Sequence, residues 1–300
     1  MADIGEIIER IPGVAVRKDE LLSLHTTLGV GGPCDLMVWV SDAPALAEVI
    51  GAATTEDLPF MVLGSGSNVL VRDGGIEGIV IRLTGDFARI EVDSCRIRAG
   101  AGADLAGVVS AATAAGVGGF EFLGGVPGTV GGAVAGNAGT ADEWISRRIA
   151  ELDVLDDGRR ARTVAAAGFE FGYRRAAIPA DWVITGAVLA GYAADVESVR
   201  RVVEDRLEAR RRSQPVGERT AGCVFKNPAD VPAGKLIDEA GLKGLEVGGA
   251  RVSTLHSNFI VNTGGATARE ILELIQIVRK RVEDSYGTNL ELEIKVIGRN

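Results

Sequence analysis

An α+β protein in two parts is what this chain predicts, and three observations carry the prediction. Short β-rich runs alternate with helices whose ends are marked by capping residues, prolines and glycines. Glycine comes in runs and not at even intervals, and two such tracts are "LGSGSNVLV" (63–71) and "GGVPGTVGGAVAGNAG" (124–139). Around residue 193 the pattern changes from mostly strand to long amphipathic helix, which places a boundary near 193–200. The part before it reads as glycine-rich α+β, and the part after it as a smaller α/β unit.

The elements follow in order. "CDLMVWV" (34–40) alternates and is β-rich, so it reads as a strand. "SDAPALAEVIGAATTED" follows as a helix, with Ser41 or Asp42 as N-cap and Pro44 in the first turn. "FMVLGSGSNVLV" (60–71) runs strand, glycine loop, strand. Residues 78–83, 89–92 and 96–102 are further short strands. "ADLAGVVSAATAAG" (103–116) is an alanine-rich helix closed by Gly116. From 149 to 192, "IAELDVLD", "RRARTV" and "WVITGAVLAGY" read as strands. "AADVESVRRVVEDRLEARRRSQP" is a helix with Val199, Val202, Val203 and Leu207 on one side, stopped by Pro215. Thr267 and Glu270 form a T-x-x-E capping box before Ile271, Ile275, Val278 and Val282, and "LELEIKVIG" (290–298) closes as a strand.

Composition narrows the chemistry. Three hundred residues that are 46% hydrophobic can build an ample core. A net charge of −9 works against nonspecific nucleic-acid or anionic-membrane binding, which needs a clustered positive field. The cluster "RLEARRR" (206–212) is the local exception and reads as a solvated last helical turn whose cations complement the dipole. No apolar run reaches about 18 residues without a charge or breaker, so no membrane span is expected. No basic start precedes an apolar run at the N-terminus, and three cysteines without a C-x-x-C pair imply free thiols. The expectation is a cytoplasmic protein. With only His25 and His256 present, a multi-histidine metal site is ruled out, and no metal is expected. No G-x-S-x-G elbow marks a serine hydrolase.

Two readings fit Gly64, Ser65, Gly66, Ser67 and Asn68: an anion nest for a phosphate, or a tight hairpin turn. There is no G-K-[S/T], so this is not a Walker loop, and the third glycine of a Rossmann fingerprint is missing. The second tract has glycine at seven of its sixteen positions, yet Val126, Val130, Ala133 and Val134 keep it too apolar for a flexible linker. Ordering so much glycine is costly, and a chain retains it where backbone must lie flat against a ligand. Two such tracts suggest a long, phosphate-bearing ligand such as a dinucleotide.

The same residues carry a resemblance. "TTLGVGG" (26–32), "LGSGSNVLV", "GVPGTVGGAVAGNAG", "FGYRRA", "AGCVFKNP", "GKLIDEAGLKG", "HSNFIVN" and "LELEIKVIG" occur here in one order. Together they resemble the UDP-N-acetylenolpyruvoylglucosamine reductase family, in its compact branch, over residues from about 24 to 298. The resemblance implies non-covalent FAD in a two-part domain of the vanillyl-alcohol-oxidase (PCMH) type, covering 1–193 with a split near 84. A substrate-binding domain would occupy 194–300. Gly64 to Asn68 would cradle the pyrophosphate, and Gly128, Thr129, Gly131, Gly132, Gly136 and Asn137 would lie along the flavin. The first loop has no histidine, so it offers none for a covalent tether.

The implied reaction reduces the enolpyruvyl ether of a UDP-sugar, with hydride from NADPH passing by way of the flavin to the β-carbon. Charge then develops toward the substrate carboxylate, and the α-carbon needs a proton. Arg174 of "FGYRRA" matches the arginine that would meet that carboxylate; Arg175 reads as a solvated neighbour. Glu293 matches the glutamate that would hold or protonate the enol form, and in a β pattern it shares a face with Glu291. Tyr173, Lys226, Asn227 and His256 match substrate-binding positions, while Lys226 also fits a polar turn before Pro228. The family's proton donor is commonly a serine where this chain has Cys223. A thiol also carries one transferable proton, with an ordinary pKa of about 8.5, and is oxidisable in a way that serine is not. Cys34 and Cys95, in strand patterns, read as packing residues. The rival readings are another FAD oxidase or dehydrogenase of the same fold and a non-catalytic nucleotide-sugar binder.

Overall fold

A computed structural model describes residues 4–140 and 142–300. The chain divides into two compact units, each assembled from three segments. The first holds the chain up to Lys18, then Leu36–Ser65 and Gly78–Glu208; the second holds Asp19–Asp35, Gly66–Glu77 and Ala209–Asn300. A single cut near 193–200 therefore does not separate them. The chain changes unit inside the first glycine tract, at Ser65–Gly66, and again within a helix, at Glu208–Ala209.

In the first unit, helices α1 (Ile4–Glu9) and α2 (Ala43–Thr55) cover a four-stranded sheet. Its order is Val14–Leu21, Pro33–Val40, Ile76–Leu83, Phe60–Val62. Ile8, Leu46, Val49 and Ile50 pack there against Leu36, Val38, Val40, Ile79 and Ile81. Asp42, of the two candidates, is the cap of α2: its carboxylate accepts from the Ala45 N–H at 2.9 Å. A second sheet is antiparallel throughout, in the order Ala161–Ala165, Ile149–Leu155, Val183–Ala190, Arg96–Gly100, Ile90–Asp93. Its core is filled from helix α3 (Leu105–Ala114) and helix α4 (Val130–Ala135) by Leu105, Val108, Val130 and Val134.

α4 is a departure from the sequence reading. The second glycine tract is not flat backbone along its whole length: its centre winds into a six-residue helix with Thr129 as N-cap. Two long-range backbone bonds hold it, Val130 N–H to Ala103 O at 2.9 Å and Gly131 N–H to Ala101 O at 2.8 Å. Helix α5 (Val196–Ser213) ends on Arg210, Arg211 and Arg212, as expected, but buries only Val199 fully. Val202 is exposed, so the apolar stripe is narrower than its spacing suggested.

The second unit contains an antiparallel sheet ordered Arg219–Cys223, Phe259–Asn262, Ala250–Val252, Glu246–Val247. Helices α6 (Ala233–Glu239) and α7 (Ala268–Tyr286) pack on it. α7 carries the capping box, with reciprocal bonds between Thr267 and Glu270, and buries Ile271, Ile275, Val278 and Val282. Burial of four such side chains contributes roughly 1.5–3 kcal/mol each. Asp73 adds a second cap from far away in sequence, accepting the Ala268 and Arg269 N–H groups at 2.9 Å each. The expected strand over 290–298 shrinks to Lys295–Ile297, which pairs in parallel with Val69–Val71. Residues 290–294 are irregular and run beside the segment that follows the Arg219–Cys223 strand, where Leu292 and Phe225 form an isolated bridge. No helix of the described residues is long and apolar enough to cross a membrane.

Candidate active site

The structure gathers the candidate residues into two groups, one in each unit. In the first unit the two glycine tracts meet. A Cβ added to Gly64 would lie 2.5 Å from the Thr129 hydroxyl oxygen, which itself accepts the Gly132 N–H at 3.4 Å. Any side chain at 64 would thus displace the α4 cap. Gly131 is also demanded by packing, since its Cβ would meet that of Ala101 at 2.8 Å. Gly128 has φ +149°, a conformation that favours glycine, and its carbonyl accepts the Leu105 N–H.

Gly132 and Gly136 differ from these. A Cβ at Gly132 would meet only the Thr129 oxygen at 3.5 Å, and one at Gly136 only the Gly132 carbonyl at 3.3 Å. Glycine inside a helix costs about 1 kcal/mol relative to alanine, and Gly132 has no crowding neighbour to explain it, whereas Gly136 is the C-cap of α4 and lies tight against the Gly132 carbonyl. Close by in the chain, the Ser65 hydroxyl is buried with no hydrogen-bond partner among the described residues. Bare backbone and an unsatisfied hydroxyl are what a flat, phosphate-bearing group needs, so these residues fit FAD.

Asn137 plays another part. It is buried, at φ +40°, and both ends of its carboxamide engage protein: Nδ2 donates to Gly172 O at 2.9 Å, and Oδ1 accepts the Ser146 N–H at 3.2 Å. Gly172 pairs with Arg175, leaving Tyr173 and Arg174 as a two-residue turn. Arg174 is half-buried at φ +56°, donates to Gly139 O at 3.4 Å and lies 5.6 Å from the Tyr173 ring centre. A non-glycine residue there costs of order 1–3 kcal/mol and persists where surrounding structure enforces it. Tyr173 and Arg175 are exposed.

The second unit holds the other group. Gly66, at φ +63°, lies against the backbone of His25 and Thr26, and its carbonyl accepts the Thr27 N–H. Ser67 follows it. Asn68 then bonds to the 293–295 segment: its Nδ2 donates to Glu293 O at 3.3 Å, and its own carbonyl accepts the Lys295 N–H at 3.0 Å. Cys223 ends its strand at a register break, directly after Gly222 at φ +79°. The next carbonyl, Val224 O, accepts the Glu293 N–H at 2.8 Å, so Cys223 and Glu293 are carried by touching backbone segments.

With residues 290–294 irregular, the strand-face argument for the two glutamates falls away. Glu291 is exposed and pairs with Lys226 at 3.0 Å, while Glu293 is half-buried. Asn227 accepts the Ala233 N–H at 3.1 Å at the start of α6. His256 abuts the same helix, its Cε1 3.3 Å from a Cβ added to Gly234, and its ring lies tilted against that of Phe259 with centres 4.7 Å apart. Burial, with Lys243 nearby, holds its pKa below the usual histidine value, and Nδ1 accepts the Asn258 N–H at 3.3 Å. Cys34 is fully buried, and desolvation pushes its thiol up to about 11. The residue that sequence reasoning missed is Asn258. It lies inside "HSNFIVN", and the signal was a polar side chain entering an apolar strand.

Known proteins share this architecture. Residues 34–163 match the FAD binding domain model, and residues 214–297 match the model for the UDP-N-acetylenolpyruvoylglucosamine reductase C-terminal domain. The UDP-N-acetylenolpyruvoylglucosamine reductase of Desulfosudis oleivorans is 46% identical, covering 94% of this chain and 95% of its own. UDP-N-acetylenolpyruvoylglucosamine reductase 2 of Symbiobacterium thermophilum is 42% identical, covering 100% and 97%. The crystal structure of UDP-N-acetylenolpyruvylglucosamine reductase from Thermus caldophilus superposes with a TM-score of 0.84 at 38% identity, covering 95% of this chain and 100% of that one.

Proposed function

The chain belongs to the UDP-N-acetylenolpyruvoylglucosamine reductase family, and on that premise we propose that it converts UDP-N-acetylglucosamine enolpyruvate to UDP-N-acetylmuramate. That is a step of peptidoglycan precursor synthesis. FAD, when bound, supplies the hydride chemistry, with NADPH as reductant. The first unit carries Gly64, Ser65 and the 128–136 tract for the cofactor together with Tyr173 and Arg174, and the second carries Cys223, Lys226, Asn227, His256 and Glu293.

The protein's own residues have the following work. Cys223 delivers a proton to the substrate α-carbon, and Glu293 holds the enol form beside it. Arg174 meets the substrate carboxylate, where a planar guanidinium stabilises charge as it develops. The Lys226 side chain meets that of Glu291 in an exposed ion pair worth roughly 0–1 kcal/mol, so turning the ammonium toward a diphosphate costs little. Tyr173, Asn227 and His256 complete the substrate contacts, His256 as a neutral hydrogen-bonding group. The three free thiols suit a cytoplasmic enzyme.

The observation that supports the reading is the 2.8 Å bond from Glu293 N–H to Val224 O, which brings the backbone next to Cys223 against that of Glu293. The test is optical and anaerobic. The purified yellow protein is reduced with NADPH, and UDP-N-acetylglucosamine enolpyruvate is then added. Rapid return of the oxidised flavin bands is expected. A protein that NADPH bleaches and the sugar leaves bleached is not this reductase.

A further inference from the structure

Asn258 is 3% exposed, and both polar ends of its side chain meet the backbone of one residue. Its Oδ1 accepts the Phe225 N–H at 2.9 Å, and its Nδ2 donates to Phe225 O at 2.8 Å. Its own backbone carbonyl accepts the Val224 N–H at 2.8 Å. The carboxamide therefore pairs with residue 225 as a neighbouring strand would, at the point where regular pairing of the Arg219–Cys223 strand stops.

The chemistry selects asparagine. Phe225 presents one donor and one acceptor, and only a side chain with one acceptor and one donor at this reach matches both. Aspartate keeps the first bond and sets a carboxylate oxygen against a carbonyl. Alanine leaves a buried N–H and C=O unpaired, because Phe225 is itself 1% exposed.

The other edge of the same short segment is engaged too. Val224 O accepts the Glu293 N–H at 2.8 Å, and Lys226 N–H donates to Glu291 O at 2.8 Å. Residues 224–226 thus form a strap gripped by Asn258 on one edge and by 291–293 on the other. Cys223 leads into the strap, and Glu293 hangs from it. Gly222, at φ +79° with nothing within 4 Å of an added Cβ, supplies no stiffness from the other side.

We propose that Asn258 is a positioning residue that sets Cys223 and Glu293 in one fixed register through residues 224–226. It touches no substrate and transfers no proton. This rests on the reading of Cys223 as proton donor and Glu293 as enol-holding group. Misplacing a reacting group by about 1 Å costs on the order of 100-fold in rate, which sets the scale of the expected effect.

The test separates this idea from general destabilisation. In Asn258→Ala the flavin should still be reduced by NADPH within about twofold of the parent rate, while reoxidation by the enolpyruvyl sugar slows by roughly 10- to 100-fold. Alkylation of Cys223 by iodoacetamide, followed residue by residue with mass spectrometry, should change at least about fivefold while Cys95 stays constant as an internal reference; this scale follows from the same loss of register. Asn258→Asp, nearly isosteric, keeps one of the two bonds and covers the case in which the alanine variant does not fold. It should show the same split between half-reactions and the same thiol change, at smaller size. If either folded variant matches the parent in sugar-driven reoxidation and in Cys223 alkylation, Asn258 positions nothing. If the parent itself is not reoxidised by the sugar, the proposed function fails, and the alkylation comparison alone decides the role of Asn258.

Discussion

Both units hold a candidate catalytic residue on a short loop, and both hold that loop with a buried asparagine, but they do so differently. In the first unit, Asn137 gives one bond to the turn that carries Arg174, through Gly172 O, and its other end goes to Ser146. In the second, Asn258 gives both ends to Phe225, and the far edge of the strap is closed by residues 291–293. Gly172 is exposed and Phe225 buried. Water can therefore approach the Gly172 partner of Asn137 more readily than the buried Phe225 partner of Asn258. The difference suits the two proposed tasks: a guanidinium meeting a carboxylate tolerates adjustment, whereas a proton must reach one carbon from one side.

The largest expected effect lies on the tightly held side. Cys223→Ala should keep FAD and its reduction by NADPH yet lose about 10²- to 10⁴-fold in sugar turnover, measured by stopped-flow reoxidation. Cys223→Ser should recover most of that loss. Equal turnover in the alanine variant and the parent would remove the proton-donor role.

On the looser side, Arg174→Gly tests function against strain in one variant. Loss of the guanidinium should reduce kcat by about 10²- to 10³-fold. Relief of the φ +56° conformation should raise thermal stability by the equivalent of about 1 kcal/mol. Higher activity with lower stability would reverse both assignments. Asn137→Gly, which removes the carboxamide without straining φ, should cost only about tenfold or less in kcat, in keeping with an open clamp that water can approach. A loss as large as that of Asn258→Ala would erase the contrast between the units.

The smallest effect concerns pH. The folded-state pKa of His256 is lowered by burial, so the unfolded chain takes up its proton more readily. Stability is then highest above the unfolded value of about 6.5 and falls as pH drops from there toward the folded pKa. Thermal midpoints measured between pH 7.5 and 5.5 should decline for the parent and decline less for His256→Gln. Equal slopes would mean that His256 is not desolvated as the fold implies.

How much of this was legible in the sequence depended on where each element's support comes from. α2 and α7 announce themselves because cap, stripe and stop are all local: Asp42, then Thr267 with Glu270, then Gly287 in the left-handed conformation. α4 was hidden because its stability comes from Ala101 and Ala103, some thirty residues upstream, and not from helix propensity. The run "LELEI" looks like a strand, yet Leu290 and Ile294 are anchored in the core of the second unit, and the backbone between them follows the 224–226 strap. The candidate site was legible as residue types in motifs. What no motif displayed was the work of the asparagines, since a carboxamide that binds a ligand and one that braces a loop read alike in one dimension.

One pairing sets a timetable for synthesis. Val69–Val71 lies parallel to Lys295–Ile297, and Asp73 caps a helix that starts at residue 268. A ribosome makes residue 69 early, but its strand partner does not exist until more than two hundred further residues have been added. Until then the loop that follows Ser65 has only its own short strand and the neighbouring 25–33 segment for company. Contacts of such sequence separation slow folding, so the nascent chain carries a glycine-rich, apolar stretch that waits for its seal. A message that ends right after codon 294 would release a chain holding every candidate catalytic residue and lacking the strand that pairs with Val69–Val71.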